Sequence, residues 1–373
     1  MTKKGGVGGF FDIGLSLASG RPRQSVERFF DLAQPHYRFL NSGRACLAVI
    51  MDILKLRNKK VLIPDYLCGE IIMGLLDHKN IEYDFYPIGR DLKVNTAVLR
   101  DKLLKNDVAA ILVINYFGII NMSSAVLEIR KMNPGIKIIQ DCVQDPFLLH
   151  FQRFGRQKAD VVFTSFRKMF PVIEGAVFRT ARPLTAGIPL PSGYNDFFGK
   201  NLIAAVSKNY FLNSKVKTGM ESFAVYYFDL AKKELGFQPC QMTPFSYDAM
   251  SKLDIKQIGM KRRSNYIYMA KLFKKFSWVK VIKYSLSKED VPLICPVLVP
   301  SALRDGLRGY LRKHRVFCPV HWPVYEKMKR KIGEDACFVA ECILGVPIDQ
   351  RYDREDLDYV AKLFRCFGTR KKI

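Results

Sequence analysis

The sequence predicts an α/β protein, with a large domain built on a mostly parallel sheet and a smaller C-terminal α/β domain. Short apolar segments alternate with segments of helical periodicity from residue 41 to about residue 185, and again from about residue 250. The longest apolar run, residues 108–120, is too short to cross a bilayer and has the character of a buried strand. Strands that alternate with helices of about ten residues form parallel sheets with both faces covered.

The elements of the large domain follow from the periodicity of apolar residues. Helical spacing predicts helices over residues 43–56, 68–78 and 96–105, and another that ends before Asn133. Between them lie the predicted strands, which are residues 61–63 and 81–86 and the segments AAILVINYFG, IKIIQD, ADVVFTSF and GAVFRT.

The pattern changes after about residue 185. Residues 200–235 have the character of long helices rich in aromatic residues and lysine. We therefore expect a large domain over residues 1–245, with a helical insertion at about 186–245, and a small domain over 246–373. The small domain is predicted to contain a helix at 253–276, a strand at 292–300, a helix at 302–314, a strand at 316–323 and a closing helix at 354–364.

Charge and cysteine usage limit the classes of function. The net charge is +25, but the basic residues are dispersed, which favours a solvated surface over a nucleic-acid partner. A polyanionic small substrate such as a nucleotide sugar, or weak attraction to an anionic membrane surface, also fits the charge. Nine cysteines without CxxC pairs and five histidines without paired spacing predict no metal site. Free thiols and the absence of a recognisable signal peptide predict a cytoplasmic protein without an integral membrane segment.

Three polar groups lie where a parallel sheet binds ligands, beyond the carboxyl ends of its strands. Asp141 closes one predicted strand, Lys168 follows another by two residues, and Ser42 and Gly43 precede a helix whose amides could bind a phosphate. An acid, an amine and a phosphate site favour pyridoxal 5'-phosphate (PLP), which needs an amine to carry it and a carboxylate at its ring nitrogen. Taken singly, each group also fits a helix cap, a turn or a solvated loop charge.

Seven short segments resemble one family in the same order along the chain. They are NSGRA at 41–45, IPDY at 63–66, VINYFG at 113–118, QDCVQ at 140–144, SFRK at 165–168 with IEGA at 173–176, SYDAMS at 246–251 and RRSNY at 262–266. Together they resemble the DegT/DnrJ/StrS-like sugar aminotransferases, which are fold-type I PLP-dependent enzymes. The resemblance covers nearly the whole chain.

The resemblance implies a role for each matching residue. Lys168 would carry the cofactor and move the proton, Asp141 would bind the ring nitrogen, and Gln144 would contact the ring hydroxyl. The phosphate would be bound by Ser42, Gly43, Arg44 and Ser165, with Ser246 reaching in from a second subunit of a homodimer.

This chain also departs from the pattern of the family. Arg44 stands where a threonine is expected and Ser246 where an asparagine is expected. Cys68 occupies the position of the ring-stacking aromatic residue, so stacking on the cofactor would either pass to Tyr66 or be lost.

The expected reaction moves an amino group from an amino acid, with glutamate as the donor, to a keto sugar. The sugar would be nucleotide-linked and destined for a surface polysaccharide. His321 and Trp322 are the candidate substrate residues, because Trp can stack on a sugar or base and His can donate to a hydroxyl. A core Trp beside a satisfied His is the alternative for this pair.

Other functions and another role for the charge stay open. The protein could be a PLP enzyme of another reaction type, such as a sugar dehydratase or an enzyme of another amino compound, or a non-catalytic scaffold. The relatives that dehydrate lack the lysine, so Lys168 argues against a dehydratase. Basic residues of the insertion could steer a nucleotide diphosphate to the site, and the candidates, with Arg44, are Lys200, Lys208, Lys215 and Lys217.

Overall fold

The computed structural model describes residues 6–14, 20–104, 107–184, 189–214 and 219–371. Its strands are β1 (Val7–Gly8), β2 (Tyr37–Leu40), β3 (Lys60–Pro64), β4 (Glu82–Tyr86), β5 (Val108–Ile114), β6 (Lys137–Asp141), β7 (Val161–Ser165), β8 (Ala176–Thr180), β9 (Lys280–Val281), β10 (Cys295–Leu298), β11 (Val316–Phe317) and β12 (Ile343–Val346). Its helices are α1 (Val26–Phe29), α2 (Gly43–Ile53), α3 (Gly69–His78), α4 (Thr96–Leu103), α5 (Ser123–Met132), α6 (Leu148–Phe151), α7 (Asp196–Asn213), α8 (Met220–Glu234), α9 (Pro244–Lys252), α10 (Ile255–Phe273), α11 (Ser301–Lys313), α12 (Glu334–Cys342) and α13 (Arg354–Lys371). Among the helices in these ranges, none is long and apolar enough to cross a membrane.

The chain forms two compact units, each built from segments that are distant in sequence. The first unit comprises Met1–Gly9, Asn58–Ile138 and Ile255–Ile373, and the second comprises Phe10–Arg57 and Ile139–Asp254. The boundary that the sequence suggested, at residue 245, stays a prediction.

In the second unit, β7 lies between β6 and β8. It runs parallel to β6, with Asp141 opposite Phe163, and antiparallel to β8, with Ser165 opposite Ala176. β2 pairs with the other side of β8, also in antiparallel orientation. All residues of β7 and β8 are buried. Strands covered on both faces have continuous apolar sequences, which explains why both were evident from the sequence.

The first unit contains three groups of paired strands. β3 lies between β4 and β5 and is parallel to both. β10 lies between β9 and β12 and is antiparallel to both, while β1 pairs in parallel with β11. The helices α10 and α13 contact each other through Phe273 and Phe364, whose ring centroids are 4.8 Å apart. Parallel pairing of β3 with β4 and β5, and of β6 with β7, agrees with the predicted mostly parallel α/β fold.

Most predicted elements lie close to their expected bounds, with two kinds of difference. The strand predicted over residues 316–323 is wrong beyond Phe317, where β11 ends. Pro319 and Pro323 follow, and proline has no backbone N–H to donate to a neighbouring strand. The sequence also missed β2, β12 and α12, which are short and depend on contacts with distant parts of the chain.

The helices α7 and α8 occupy the segment in which long helices were predicted. They contact each other through a buried cluster of Phe197, Ala231 and Leu235. On α7, Phe198 and Ala205 belong to a second cluster, with Ile13 and Ile173. Small and large apolar side chains therefore hold this helical pair in the second unit.

Candidate active site

Three segments of the second unit meet at Gly43. A Cβ atom at Gly43 would lie 2.8 Å from Cγ2 of Val143 and 3.6 Å from Cβ of Ser165. Val143 follows the end of β6 by two residues, and Ser165 is the last residue of β7. The missing side chain therefore lets the start of α2 approach two strand ends closely.

Ser42 is the N-cap of α2. Its backbone is extended, and its Oγ accepts a hydrogen bond from the amide of Ala45 at 3.1 Å. The first turn of α2 contains no acidic residue. The positive end of the helix dipole is therefore available to an anion such as a phosphate group.

Asp141 is a buried carboxylate at the end of β6. Its Oδ1 accepts from the amide of Val143 at 2.8 Å. Burial raises the pKa of Asp141 to about 6, although the Val143 amide and the charge of Lys168 both act to lower it. Above pH 7 the group is therefore mostly ionised and attracts Lys168. Burial, together with this negative charge, holds the pKa of the Cys46 thiol well above its usual range.

Lys168 ends a short 3-10 helix that follows β7 directly. This helix, Phe166–Lys168, is tied to the next loop by the amide of Phe166, which donates to the carbonyl of Gly175 at 2.9 Å. Gly175 in turn donates its amide to the carbonyl of Asn41, beside the N-cap of α2. Backbone hydrogen bonds thus connect the segment that carries Lys168 to the start of α2.

Glu174 is a fully buried acid next to this segment. Its Oε1 accepts from the amide and from the hydroxyl of Thr243, at 2.8 and 2.7 Å. Burial raises the pKa of Glu174 to about 7, against the lowering effect of the Thr243 and Ser246 hydrogen bonds and of the charge of Arg167. Glu174 therefore anchors the start of α9 to the loop that follows Lys168.

Ser246 lies on α9, and its side chain is directed into its own unit. It is 0% exposed, and its Oγ lies 3.1 Å from Oγ1 of Thr243. This placement leaves little of Ser246 for a contact with another subunit. Its predicted role at a partner's site stays a prediction.

Two arginines of the second unit, Arg44 and Arg167, lie near enough for the charge of one to act on the other. Arg44 donates to the carbonyl of Leu235, and the guanidinium carbon of Arg167 lies 5.7 Å from the centroid of the Phe197 ring. Burial and the charge of Arg44 lower the pKa of Arg167 to about 10, while Glu174 acts in the opposite direction. This pair places concentrated positive charge beside the start of α2.

A separate aromatic cluster lies in the first unit. The rings of Tyr66 and Trp322 have centroids 5.7 Å apart, and Tyr116 lies 5.7 Å from Tyr66 and 6.3 Å from Trp322. The Tyr116 hydroxyl donates to the carbonyl of Tyr66 at 2.6 Å. His321 packs edge-on against Phe117. Both tyrosines are buried, whereas Trp322 and His321 keep some exposed surface that a ligand could contact.

The structure brings together most of the predicted site residues, but in two groups. The second unit contains Ser42, Gly43, Arg44, Asp141, Gln144, Ser165, Lys168 and Ser246, and the first contains Tyr66, His321 and Trp322. The sequence indicated no role for Arg167, Glu174 or Thr243. Arg167 and Glu174 lie in the segments SFRK and IEGA that resemble the family, which was a signal for these two, whereas Thr243 lies in none of the seven segments.

Lys200 and Lys208, the two candidate lysines of the insertion that the structure describes, are engaged within the chain. Lys200 forms ion pairs with Glu234 and with Asp196, and Lys208 donates to the carbonyl of Phe10. Lys215 and Lys217 lie outside the described residues. The contacts of Lys200 and Lys208 disfavour the hypothesis that these two side chains attract a substrate.

The chemistry of the second-unit group fits PLP. Asp141 is a buried carboxylate that is mostly ionised above pH 7, and Lys168 lies within reach of its charge. Gly43 allows the N-terminus of α2 to approach the ends of β6 and β7, where a side chain would collide with Val143. In this set, Asp141 is complementary to the ring nitrogen of PLP, Lys168 to its aldehyde and the N-terminus of α2 to its phosphate.

Comparison with known proteins gives the fold. No protein-family model matches the chain, and no curated protein matches it either. Among solved structures, the aminotransferase TlmJ from Streptoalloteichus hindustanus has a TM-score of 0.67 at 12% identity, over 98% of this chain and 100% of that one. The sugar aminotransferase CalS13 from Micromonospora echinospora has a TM-score of 0.63 at 13% identity, over 94% and 95% of the two chains. A DegT DnrJ EryC1 StrS aminotransferase from Brucella abortus has a TM-score of 0.61 at 15% identity, over 94% and 93%. The chain therefore has the fold of these aminotransferases, which confirms the predicted fold class.

Proposed function

We propose that this protein is a PLP-dependent aminotransferase that acts on a keto sugar. The observation that carries the proposal is the convergence of Asp141, Lys168 and the start of α2 around Gly43 within one unit. The fold adds support, since the similar structures include proteins described as sugar aminotransferases. The Spr1654 protein of Streptococcus pneumoniae, which has the same fold, was solved in a PLP form and a PMP form.

Each residue has a defined task in this proposal. PLP supplies an electron-withdrawing ring that accepts the electrons of a bond broken at Cα of an amino acid. Lys168 would hold the cofactor through Nζ, and its amine would move the proton at Cα. Asp141 holds a proton at the ring nitrogen through its negative charge, and Gln144 contacts the ring hydroxyl. Ser42, Gly43, Arg44 and Ser165 bind the phosphate.

The substrate would be a nucleotide-linked keto sugar, with glutamate as the amino donor. The exposed part of Trp322 provides a flat apolar surface supported by Tyr66 and Tyr116, which suits stacking on a sugar or a base. His321 can donate a hydrogen bond to a hydroxyl group. We further propose a homodimer in the cytoplasm that serves the synthesis of a surface polysaccharide.

The test of this proposal identifies the lysine to which the cofactor binds. Purified protein incubated with PLP should develop a visible absorbance band, and borohydride should fix the cofactor onto Lys168, as located by mass spectrometry of peptides. Glutamate should convert the band if the enzyme transfers amino groups. Lys168→Ala should remove the band, whereas Lys158→Gln, which changes an exposed lysine of the same unit, should not.

Two results would contradict the proposal. One is an adduct on a lysine other than Lys168, and the other is no uptake of PLP at all. Bound PLP that no amino donor converts would favour the non-catalytic scaffold.

A further inference from the structure

Arg167 and Arg44 reach the same place from distant parts of the sequence. Arg44 is the second residue of α2, and Arg167 lies in the 3-10 helix between Ser165 and Lys168. The close approach of Gly43 to Ser165 brings these two segments into contact. Each guanidinium is half-buried and belongs to the second unit.

The two guanidinium groups differ in their partners. That of Arg44 is anchored by the carbonyl of Leu235 at the end of α8. That of Arg167 lies near the Phe197 ring, and none of the residues described by the structure accepts a hydrogen bond from it. A guanidinium has five N–H donors in a planar fork, a shape that matches the oxygens of a phosphate group.

The charged groups around Arg167 carry an excess of positive charge. Glu174 is the one buried carboxylate that acts on Arg167 among the described residues, and it already accepts two hydrogen bonds from Thr243. The positive charge of Arg44 acts on Arg167 against that of Glu174, and the N-terminus of α2 adds about half a positive charge. Like charges in a partly buried setting repel unless an anion lies between them. A dianion would remove the excess.

We propose that Arg167, together with Arg44, binds the phosphate of the cofactor. The inference rests on the proposed function and adds a residue to which the sequence indicated no role. In this arrangement the guanidinium of Arg167 would contact the phosphate, and the neighbouring Lys168 would bind the aldehyde end of the cofactor. The phosphate monoester is therefore bound by a guanidinium pair and a helix N-terminus of the same unit.

The test compares two ligands that differ only in the phosphate. PLP and pyridoxal are titrated into the full chain after removal of the cofactor, and binding is followed by absorbance. Arg167→Gln should weaken PLP binding by about 10- to 100-fold, the size expected for a charged hydrogen-bonded pair, and should leave pyridoxal binding unchanged. Arg156→Gln, which removes an exposed arginine of the same unit, should change neither. A second readout is the melting temperature, which inorganic phosphate should raise in the wild type but not in Arg167→Gln.

The pyridoxal arm separates a phosphate contact from damage to Lys168. Equal losses for PLP and pyridoxal, or no loss for either, would overturn the inference while leaving the proposed function standing. Unchanged PLP binding with weaker binding of a nucleoside diphosphate would also overturn it, because the pair would then serve the substrate. If the wild type binds neither ligand, both proposals fail. Should the Gln variant not fold, Arg167→Lys decides, since loss of the fork should still weaken PLP binding selectively.

Discussion

Glu174 links the stability of this protein to pH, and Glu174→Gln should remove the link. Burial raises the pKa of Glu174 from an ordinary value of 4.5 to about 7 in the folded chain. Between these values the folded state keeps the proton and the unfolded state has lost it. The folded state therefore loses stability as pH rises through this window, and the loss is complete above pH 7.

The size of the effect follows from the shift in pKa. One pKa unit corresponds to about 1.4 kcal/mol, so the free energy of unfolding should fall by about 2.5 kcal/mol between pH 5 and pH 8 because of this group. Glutamine keeps an oxygen that can accept from Thr243 but does not ionise. Relative to the wild type, Glu174→Gln should therefore gain about 2.5 kcal/mol over the same interval.

The assay is thermal unfolding of the wild type and the variant at pH 5 and pH 8, without added cofactor. If all 373 residues unfold together, the melting temperature of the variant relative to the wild type should rise by about 3 °C between the two values of pH. The rise should be larger if the second unit unfolds alone. Glu289→Gln, which changes an exposed glutamate, serves as the control. A difference that does not depend on pH, or one of opposite sign, would show that Glu174 is not a buried acid of raised pKa.

Asp141→Asn should still bind PLP but lose about 100-fold or more of the rate of the half-reaction with glutamate, because an amide cannot keep the ring nitrogen protonated; a near-normal rate in stopped-flow absorbance would exclude this role. Ser42→Ala should lower the stability of the chain by about 1 kcal/mol through loss of the α2 cap, measured as a lower melting temperature. Ser42→Asp should keep the cap and instead weaken PLP relative to pyridoxal, because the carboxylate repels the phosphate; equal affinities would place the phosphate elsewhere. The homodimer should be visible by analytical ultracentrifugation, and a monomer that stays fully active on dilution would argue against shared sites.

Local sequence determined the elements and the three groups that suggested the chemistry. The apolar runs of β5, β6 and β7 identify buried strands without any knowledge of their partners. Ser42 could be recognised as a cap because the residues that follow it have helical spacing. Asp141 and Lys168 could be placed at strand ends, since a polar residue after an apolar run marks the end of a strand.

Local sequence could not predict elements that depend on distant partners. The strand β2 is four residues long and exists through its pairing with β8, with Tyr37 opposite Arg179. Nothing in its immediate neighbours distinguishes it from a loop. The segment after Phe317 was predicted as a strand because it contains apolar residues. Its prolines, however, have no backbone N–H to donate to a neighbouring strand.

The order of residues along the chain determined the α/β fold class and placed an acid, an amine and a helix start where ligands bind. The tertiary structure alone decided what surrounds them. The charge of Arg44 acts on Arg167, and Glu174 accepts hydrogen bonds from Thr243, although long stretches of sequence separate the members of each pair. Burial raises the pKa of Glu174 and lowers that of Arg167, and burial results from packing rather than from residue type. A charge acquires its chemical behaviour from the distance to other charges and to water, and both distances are set only when the chain has folded.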